Sequence, residues 1–183
     1  LKPKICEPNN YLVLSHDSIN QLNIVPDKNI KSSKSLWDII DKTCSSIGKR
    51  YLKDCLMNPL LDIVELERRY TLVEEMMKQD VISVRKDLKN IIDIERLHRK
   101  MAMKMMNPHS FISLDLSYSY VLSIIDNIRK LNNTSLNSLL PDINHIERFK
   151  EFIADYNDKL NINKLNGVNL SNIKENIFKL GLY

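Results

Sequence analysis

The sequence predicts a mainly α-helical fold of several helices, with a small, short-stranded β element near the N-terminus. Apolar residues recur at spacings of three and four over most of the chain, which is typical of helices that bury one face. Only three glycines occur in 183 residues, which disfavours tight hairpins and glycine-rich phosphate-binding loops. Prolines and hydroxyl-bearing residues divide the apolar pattern into segments, and most of these segments predict one helix each.

Near the N-terminus, a connecting segment precedes the predicted β element. Residues 1–10 contain two prolines and mixed charge, and we expect them to connect to a preceding part of a longer protein. Residues 11–14, Tyr-Leu-Val-Leu, predict one short strand, and residues 24–25, Ile-Val, predict a second. Ser15 or Asp17 is expected to cap a short helix between these strands, because either side chain can accept a backbone N–H of the first turn.

Residues 35–77 contain three amphipathic segments separated by two defined breaks, and the rest of the chain is expected to be organised around them. Thr43, Ser45 and Ser46 offer hydroxyl caps at the first break. Asn58-Pro59 forces the second, because the residue before proline is pushed out of the helical region. We expect three short helices that contribute core. Their apolar stripes are Leu36, Ile39 and Ile40; Ile47, Tyr51, Leu52, Cys55 and Leu56; and Leu66, Tyr70, Val73 and Met77.

Two helices are predicted after this stretch. Residues 80–92 carry another apolar face. Asp93 is expected to cap the next helix, where a carboxylate meets the positive end of the helix dipole. That helix should carry Leu97, Met101 and Met105 on one side.

Two longer helices are predicted in the remaining chain. Asn107-Pro108 should end the preceding helix, and Ser110 should cap a long helix that reaches about Leu131. Residues 132–138 predict a loop, and residues 141–160 predict the second long helix.

Charge and cysteine content narrow the class of protein. The net charge is +4, with 27 basic and 23 acidic residues interspersed, a balance that permits nucleic-acid binding without arguing for it. No apolar run is long enough to cross a bilayer, so we expect no membrane partner. Cys6, Cys44 and Cys55 lack the close spacing of a zinc or redox motif, and reduced thiols in an intracellular, reducing compartment are the simpler interpretation.

Two candidate chemical motifs are incomplete. Gly48-Lys49 resembles part of a phosphate-binding loop, but Thr43 replaces the earlier glycine and Arg50 replaces the hydroxyl residue. The four histidines lie on different segments and would have to converge to form a hydrolytic or metal site. We therefore expect no catalytic residue, bound cofactor or metal in this chain. An enzyme built on His98 or His109 is the alternative.

Basic residues on the predicted helices have acidic neighbours, and two interpretations remain open. Most are expected in salt bridges or on solvated helix faces. The other interpretation is a face that contacts phosphates, with a salt-dependent and sequence-independent attraction. The residues are Lys49, Arg50, Lys53, Arg68, Arg69, Arg96, Arg99 and Lys100.

Most of the chain resembles the MutS proteins of DNA mismatch repair, in the lever or core domain of that family. The resemblance is most specific at Ser35-Leu36, Asp41, Thr43, Gly48, Arg50, Leu52, Leu56, Pro59-Leu60, Asp62, Leu66, Arg69, Val73 and residues 93–97. Residues 178–183 are similar to the point where the family's chain enters the DNA clamp. The chain departs from the family pattern at Ser15, Asn23 and Lys104, where Asp, Glu and Gly are usual.

The resemblance implies that residues 1–183 are a fragment of a longer parent protein. Residues 11–176 would be its helical core, and residues 177–183 a strand cut short that leads toward the clamp. The fragment would couple the ATPase domain to the clamp and would not itself be an enzyme. ATP and magnesium would belong to the parent, a DNA-dependent ATPase, whose compartment can be bacterial, a viral factory or organellar.

The resemblance also implies partners and roles for individual residues. The parent would bind double-stranded, mismatched DNA and a second MutS-like subunit, and this fragment would contact other domains of the same chain. Gly48 is expected to allow close packing and Pro59 to make a fixed break. The other expected structural and transmission residues, mostly polar pins between helices, are Thr43, Arg50, Asp62, Arg69, Asp93 and Arg96. A free-standing helical module that docks a protein or DNA is the alternative.

Overall fold

The structure, a computed structural model, describes residues 10–26 and 34–165. Ten α-helices lie in these two ranges, which confirms the mainly α-helical prediction. The chain divides into two compact units, residues 1–79 with α1 to α4 and residues 80–183 with α5 to α10. The helices are α1 (His16–Gln21), α2 (Leu36–Ile40), α3 (Ser46–Met57), α4 (Ile63–Met77), α5 (Ile82–Asn90), α6 (Ile94–Ala102), α7 (Pro108–Lys130), α8 (Thr134–Asn137), α9 (Ile143–Lys159) and α10 (Ile162–Leu165).

The first predicted strand, residues 11–14, does not form. Tyr11 makes one antiparallel bridge, to Leu60, and the pairing stops there. Val13 is 81% exposed, so no sheet covers it. The prediction was wrong because the β propensity of this segment reflects packing on a sheet, and a single bridge offers no such surface.

The second predicted strand, residues 24–25, was also wrong. The Ile24 N–H donates to the Ile19 carbonyl at 3.1 Å, and its carbonyl accepts from the Trp37 N–H at 3.0 Å. These bonds close the end of α1 and connect it to α2. They occupy the backbone groups that a strand partner would need.

Side-chain caps begin all four helices that the structure describes in the first unit. Ser15 caps α1, Ser45 caps α3, and Asp62 caps α4. Ser35 caps α2 in a capping box, in which Asp38 bonds back to the Ser35 N–H at 3.0 Å. The three helices predicted after residue 34 are therefore confirmed as α2, α3 and α4, with the Ser15 cap before them.

The apolar stripes of these three helices are not buried. None of the residues in α2, α3 and α4 is buried, and Tyr51, Tyr70 and Met77 are 61%, 64% and 81% exposed. The prediction that this stretch contributes core was wrong for these side chains. Helical periodicity shows that one face is apolar, but it does not supply the surface that covers that face.

The long helix α7 is the centre of the second unit, and α5, α6, α8 and α10 pack against it. Asn107 caps α7 by accepting the Ser110 N–H at 2.7 Å, and Pro108 is its first residue. Ser110 is therefore not the cap, and Asn107-Pro108 begins α7 and does not end α6. Proline suits this position because its missing N–H would have no partner in the first turn.

Helix α6 ends at Ala102, so the prediction that Met105 lies on it is wrong. The Lys104 N–H donates to the Met101 carbonyl and the Met105 N–H to the Lys100 carbonyl, both at 2.9 Å. This is a Schellman motif, and it requires the left-handed conformation that Lys104 adopts, with φ of 56°. Met105 lies beyond it and is 69% exposed.

The predicted loop at residues 132–138 contains the short helix α8. Asn133 caps it by accepting the Leu136 N–H at 3.0 Å, and Leu136 is fully buried. One apolar anchor in a polar segment carries no periodic signal, which is why the prediction was wrong here. The predicted connecting segment, except Asn10, and the terminal strand at 177–183 lie outside the described residues.

A compact apolar cluster lies between α6, α7 and α9. It consists of Leu97, Leu114, Tyr118 and Tyr156, all buried. Partly buried neighbours complete it: Ile92, Ile94, Met106, Phe111, Phe149, Ile153 and Ile162. Within residues 10–26 and 34–165, none of the helices combines the length and hydropathy that crossing a bilayer requires.

Candidate functional site

The turn between α2 and α3 is built on Asp41. The Asp41 carboxylate accepts the Thr43 hydroxyl at 2.6 Å and the Thr43 N–H at 3.0 Å, and the Lys49 ammonium lies 3.5 Å from it. These contacts lower the pKa of Asp41, the Thr43 hydroxyl most of all. Lys49 also lies 4.8 Å from the centroid of the Trp37 ring. Together these contacts hold α2 against the start of α3.

Gly48 lies in the first turn of α3, beside this turn. Its N–H donates to the Ser45 hydroxyl at 3.1 Å, which caps the helix. A Cβ at this position would lie 3.2 Å from Ser45 Oγ and 3.7 Å from Thr43 Cβ. The close approach involves the cap itself, so a larger side chain would press on the cap.

The break between α3 and α4 is tied to the N-terminal segment. The Pro59 carbonyl accepts the Leu12 N–H at 2.8 Å, and the Leu61 N–H donates to the Asn10 carbonyl at 2.8 Å. Asp62 then begins α4 by accepting the Val64 N–H at 2.9 Å. Pro59 therefore ends one helix and anchors the chain, while Asp62 starts the next helix.

Arg69 connects α4 to α3. Glu65 binds Arg68 Nε at 2.6 Å and Arg69 Nε at 3.1 Å, and these bonds hold the pKa of Glu65 at about 2, with Arg68 the larger cause. Arg69 Nη1 also lies 3.9 Å from the Cys55 sulfur of α3. Arg50 lies on α3 with its side chain exposed.

The last two predicted residues belong to α6, in the second unit. Asp93 caps α6 by accepting the Arg96 N–H at 3.1 Å, which confirms the predicted cap. The Arg96 side chain is exposed. The structure thus brings Thr43 and Gly48 together around one turn, while Asp93 and Arg96 lie at the start of another helix.

Polar side chains outside the predicted site residues connect helices of the second unit. Asp87 of α5 accepts the Ser123 hydroxyl at 2.6 Å and the Asn127 amide at 3.1 Å, both on α7. Asp115 of α7 accepts the Tyr156 hydroxyl of α9 at 2.5 Å. These bonds join residues 36 to 41 positions apart in the sequence, beyond the reach of a local pattern.

A signal for one further link was present in the sequence. Ser117 lies three residues after Leu114 and four before Val121, within the apolar stripe of α7. A hydroxyl in such a stripe predicts a buried hydrogen bond. Ser117 is fully buried and accepts the Ile92 N–H at 3.2 Å, which ties the segment before α6 to α7.

The histidine that approaches the core is bonded to a tyrosine. His98 Nε2 lies 2.5 Å from the Tyr118 hydroxyl, at the edge of the apolar cluster. Across the part of the chain that the structure describes, no three His, Cys, Asp or Glu side chains are placed to hold a metal ion.

A family model described as MutS domain III matches residues 17–177. The chain belongs to the MutS family. This match confirms the resemblance, which covers most of the chain. The helical architecture agrees with a MutS lever or core domain.

Relatives of this MutS domain include viral and bacterial proteins. A putative DNA mismatch repair protein mutS homolog of Acanthamoeba polyphaga mimivirus is 34% identical over 189 residues, which cover 99% of this chain and 16% of the relative. The DNA mismatch repair protein MutS of Caldanaerobacter subterraneus subsp. tengcongensis is 30% identical, over 83% of this chain and 18% of the relative. The DNA mismatch repair protein MutS of Thermosipho melanesiensis is 31% identical, over 72% of this chain and 16% of the relative. The chain spans about one sixth of the length of these relatives.

Proposed function

We propose that this MutS domain III transmits conformational change between the ATPase domain and the DNA-gripping clamp of a mismatch repair protein. The family match over residues 17–177 carries the proposal, because it assigns the chain to one domain of a multidomain repair protein. Coupling between distant sites requires an element with discrete arrangements that both sites bias. A rigid helical unit is suited to that task.

The second unit has features of such a rigid element. Helix α7 contains 23 residues and is therefore about 35 Å long. Asp87 connects it to α5, and Asp115 connects it to α9. Partly buried hydrogen bonds to carboxylates are costly to break, so the helices of this unit are expected to move together.

The remaining features of the parent are part of the same proposal. ATP and magnesium would be bound by an ATPase domain outside this chain, and mismatched duplex DNA by the whole protein. A second MutS-like subunit would complete the assembly, in an intracellular, reducing compartment. Residues 1–183 alone would have no ATPase activity, and turnover that survives rigorous purification would contradict this assignment.

The test uses the full-length parent protein. Asp87→Ala removes the acceptor that joins α5 to α7, and we expect it to reduce the stimulation of ATPase activity by mismatched DNA about tenfold while basal activity is retained. Asp87→Asn keeps an acceptor oxygen and should retain most of the stimulation. Asp126→Ala removes an exposed acid from α7, the partner helix of Asp87, and is the matched control. Unchanged stimulation in Asp87→Ala would overturn the proposal.

A further inference from the structure

We propose that the exposed basic face of α6 binds the phosphate backbone of duplex DNA without regard to sequence. The basic face consists of the exposed Arg96 and Arg99 and the half-buried Lys100, with the exposed Lys104 just beyond the end of the helix. The positive charges define a polyanion as the ligand. The choice of DNA among polyanions rests on the proposed function, because MutS-family membership makes DNA the polyanion of the parent.

The geometry of α6 puts these cations on one side. Ile94 and Leu97 pack in the apolar cluster, and this contact determines which side of α6 faces the core. At 3.6 residues per turn, positions 96, 99 and 100 fall within about 100° of one another, with Arg99 opposite that contact and Lys100 at its edge. Arg96 and Lys100 are separated by about 6 Å along the helix axis.

These cations make no ion pair within the described part of the chain, unlike those of α4. In α4, Arg68 and Arg69 both bind Glu65. The α6 acids lie at the start of the helix, where Asp93 accepts a backbone N–H, and two of the bases lie in its last turn. The guanidinium groups and the ammonium group therefore keep their charge and donors available for phosphate oxygens.

Lys104 is an independent sign that a cation at this end of α6 has a role. Its φ of 56° lies in the left-handed region, which costs free energy for a residue with a Cβ. Glycine would adopt the same conformation without that cost. A lysine at such a position adds a fourth cation to the basic face, and strain of this kind is often found at functional positions.

Stabilisation of the helix dipole is the competing explanation. Cations in the last turn of a helix favour its negative end. That role would change the stability of α6 but would give the chain no salt-dependent affinity for DNA. Binding and unfolding measurements therefore separate the two explanations.

The test measures binding of the 183-residue chain to a fluorescein-labelled duplex of about 20 base pairs by anisotropy, between about 50 and 200 mM salt. The variant Arg96→Gln/Arg99→Gln/Lys100→Gln should reduce the slope of log affinity against log salt concentration by about 2.7, because each lost phosphate contact removes about 0.9. A matched duplex and a duplex with one mismatch should bind equally well.

The control removes the same number of charges from cations that are already paired. Lys78, Lys150 and Lys159 each bind an acid three or four residues earlier in the sequence. Their replacement by Gln should change the slope by less than about 1. Equal losses in the two triple variants would assign binding to net charge alone and overturn the proposal. Absence of binding at the lowest salt concentration, or equal competition by poly-glutamate at the same charge concentration, would also overturn it.

Lys104→Gly separates binding from stability in one variant. Relief of the left-handed lysine should raise the urea midpoint, while loss of one cation should reduce the salt slope by about 0.9. A raised midpoint with an unchanged slope would remove Lys104 from the basic face. Failure of DNA binding by this chain leaves the coupling proposal intact, because mismatch-stimulated ATPase activity of the parent measures that coupling separately.

Discussion

The two compact units of this MutS domain use their apolar residues in different ways. In the second unit, Leu97, Leu114, Tyr118 and Tyr156 meet in one buried cluster. In the first, none of the residues in α2, α3 and α4 is buried, although their apolar stripes are as regular. An amphipathic pattern therefore predicts a helix equally well in both units, but it predicts burial only where other elements supply a matching face.

The two units also differ in where their polar side chains form hydrogen bonds. In the first unit, Ser45 and Asp62 act locally, at helix starts. In the second, Asp87 and Asp115 bind side chains on other helices. We therefore expect mutations in the second unit to affect cooperative unfolding and comparable mutations in the first to have local effects.

The largest expected effect is that of Leu114→Ala. Leu114 is fully buried, and its truncation should lower the free energy of unfolding by about 3 to 5 kcal/mol through lost burial and a residual cavity. Urea unfolding followed by circular dichroism measures the loss. Leu116→Ala, two residues away on the same helix at a site 53% exposed, should cost less than about 1 kcal/mol.

The same experiment tests the contrast between units. Met77→Ala, at a site 81% exposed in α4, should change the free energy of unfolding by no more than about 0.5 kcal/mol. A loss at Met77 as large as that at Leu114 would mean that the first unit buries the apolar stripe of α4 in solution. That result would contradict the difference in burial between the two units.

An intermediate effect is expected for Tyr156→Phe. This variant removes the hydroxyl that Asp115 accepts and should lower the free energy of unfolding by about 2 kcal/mol at neutral pH. Tyr70→Phe, at a site 64% exposed in the first unit, should change it little. Equal effects of the two variants would contradict a special role for the Asp115 bond.

The Tyr156 effect should also depend on pH. Burial, and then the bond to Asp115, raise the pKa of Tyr156 above its usual value of 10. The Tyr156 hydroxyl therefore contributes its full stabilisation of the native state below pH 10, and this stabilisation decreases as the pH rises toward the folded-state pKa. The difference in unfolding free energy between wild type and Tyr156→Phe should therefore shrink as the pH rises above 10.

The smallest expected effect is the change in stability with acid pH that comes from Glu65 in the first unit. Its pKa is lowered from 4.5 to about 2, first by Arg68 and then by Arg69. A lowered folded-state pKa stabilises the native state above pH 4.5, and this contribution is lost as the pH falls toward about 2. Solvent screens this exposed pair, so the change in stability should be small.

An NMR titration of the Glu65 carboxyl carbon measures this pKa directly. Arg68→Gln should raise it toward 4.5, because the largest cause of the shift is removed. Lys78→Gln, which alters an ion pair at the other end of α4, should leave it unchanged. A wild-type value near 4.5 would show that the Glu65 bonds do not persist in solution.

Local chemistry explains which predictions succeeded. Asp93 was predicted as a cap and is one, and Ser15 and Ser45 are caps from among the candidates at their helix starts, because a cap depends on residues two or three positions away. The break at Asn58-Pro59 likewise follows from local steric clash. Ser110 failed because Asn107 offered a competing acceptor three residues earlier, next to a proline suited to the first turn.

The candidate transmission residues also divide into positions that the sequence identifies and contacts that only helix packing creates. Positions such as Asp62 and Gly48 could be selected from the sequence because they resemble a family pattern, and the structure places each at a helix start. The link from Arg69 to Cys55 depends on how α3 and α4 pack, which no spacing within either helix determines. Their role in transmission stays a prediction.

The sequence by itself determined most of the helices and their limits, because periodicity, capping and proline geometry act over a few residues, and its motifs determined membership of the MutS family. Tertiary structure decided which apolar stripes are buried and which polar side chains meet. The bond between Asp115 and Tyr156 spans 41 residues, and only the packing of α9 against α7 brings its atoms within hydrogen-bonding distance. Burial is a property of two surfaces, and the pattern of one helix describes only one of them.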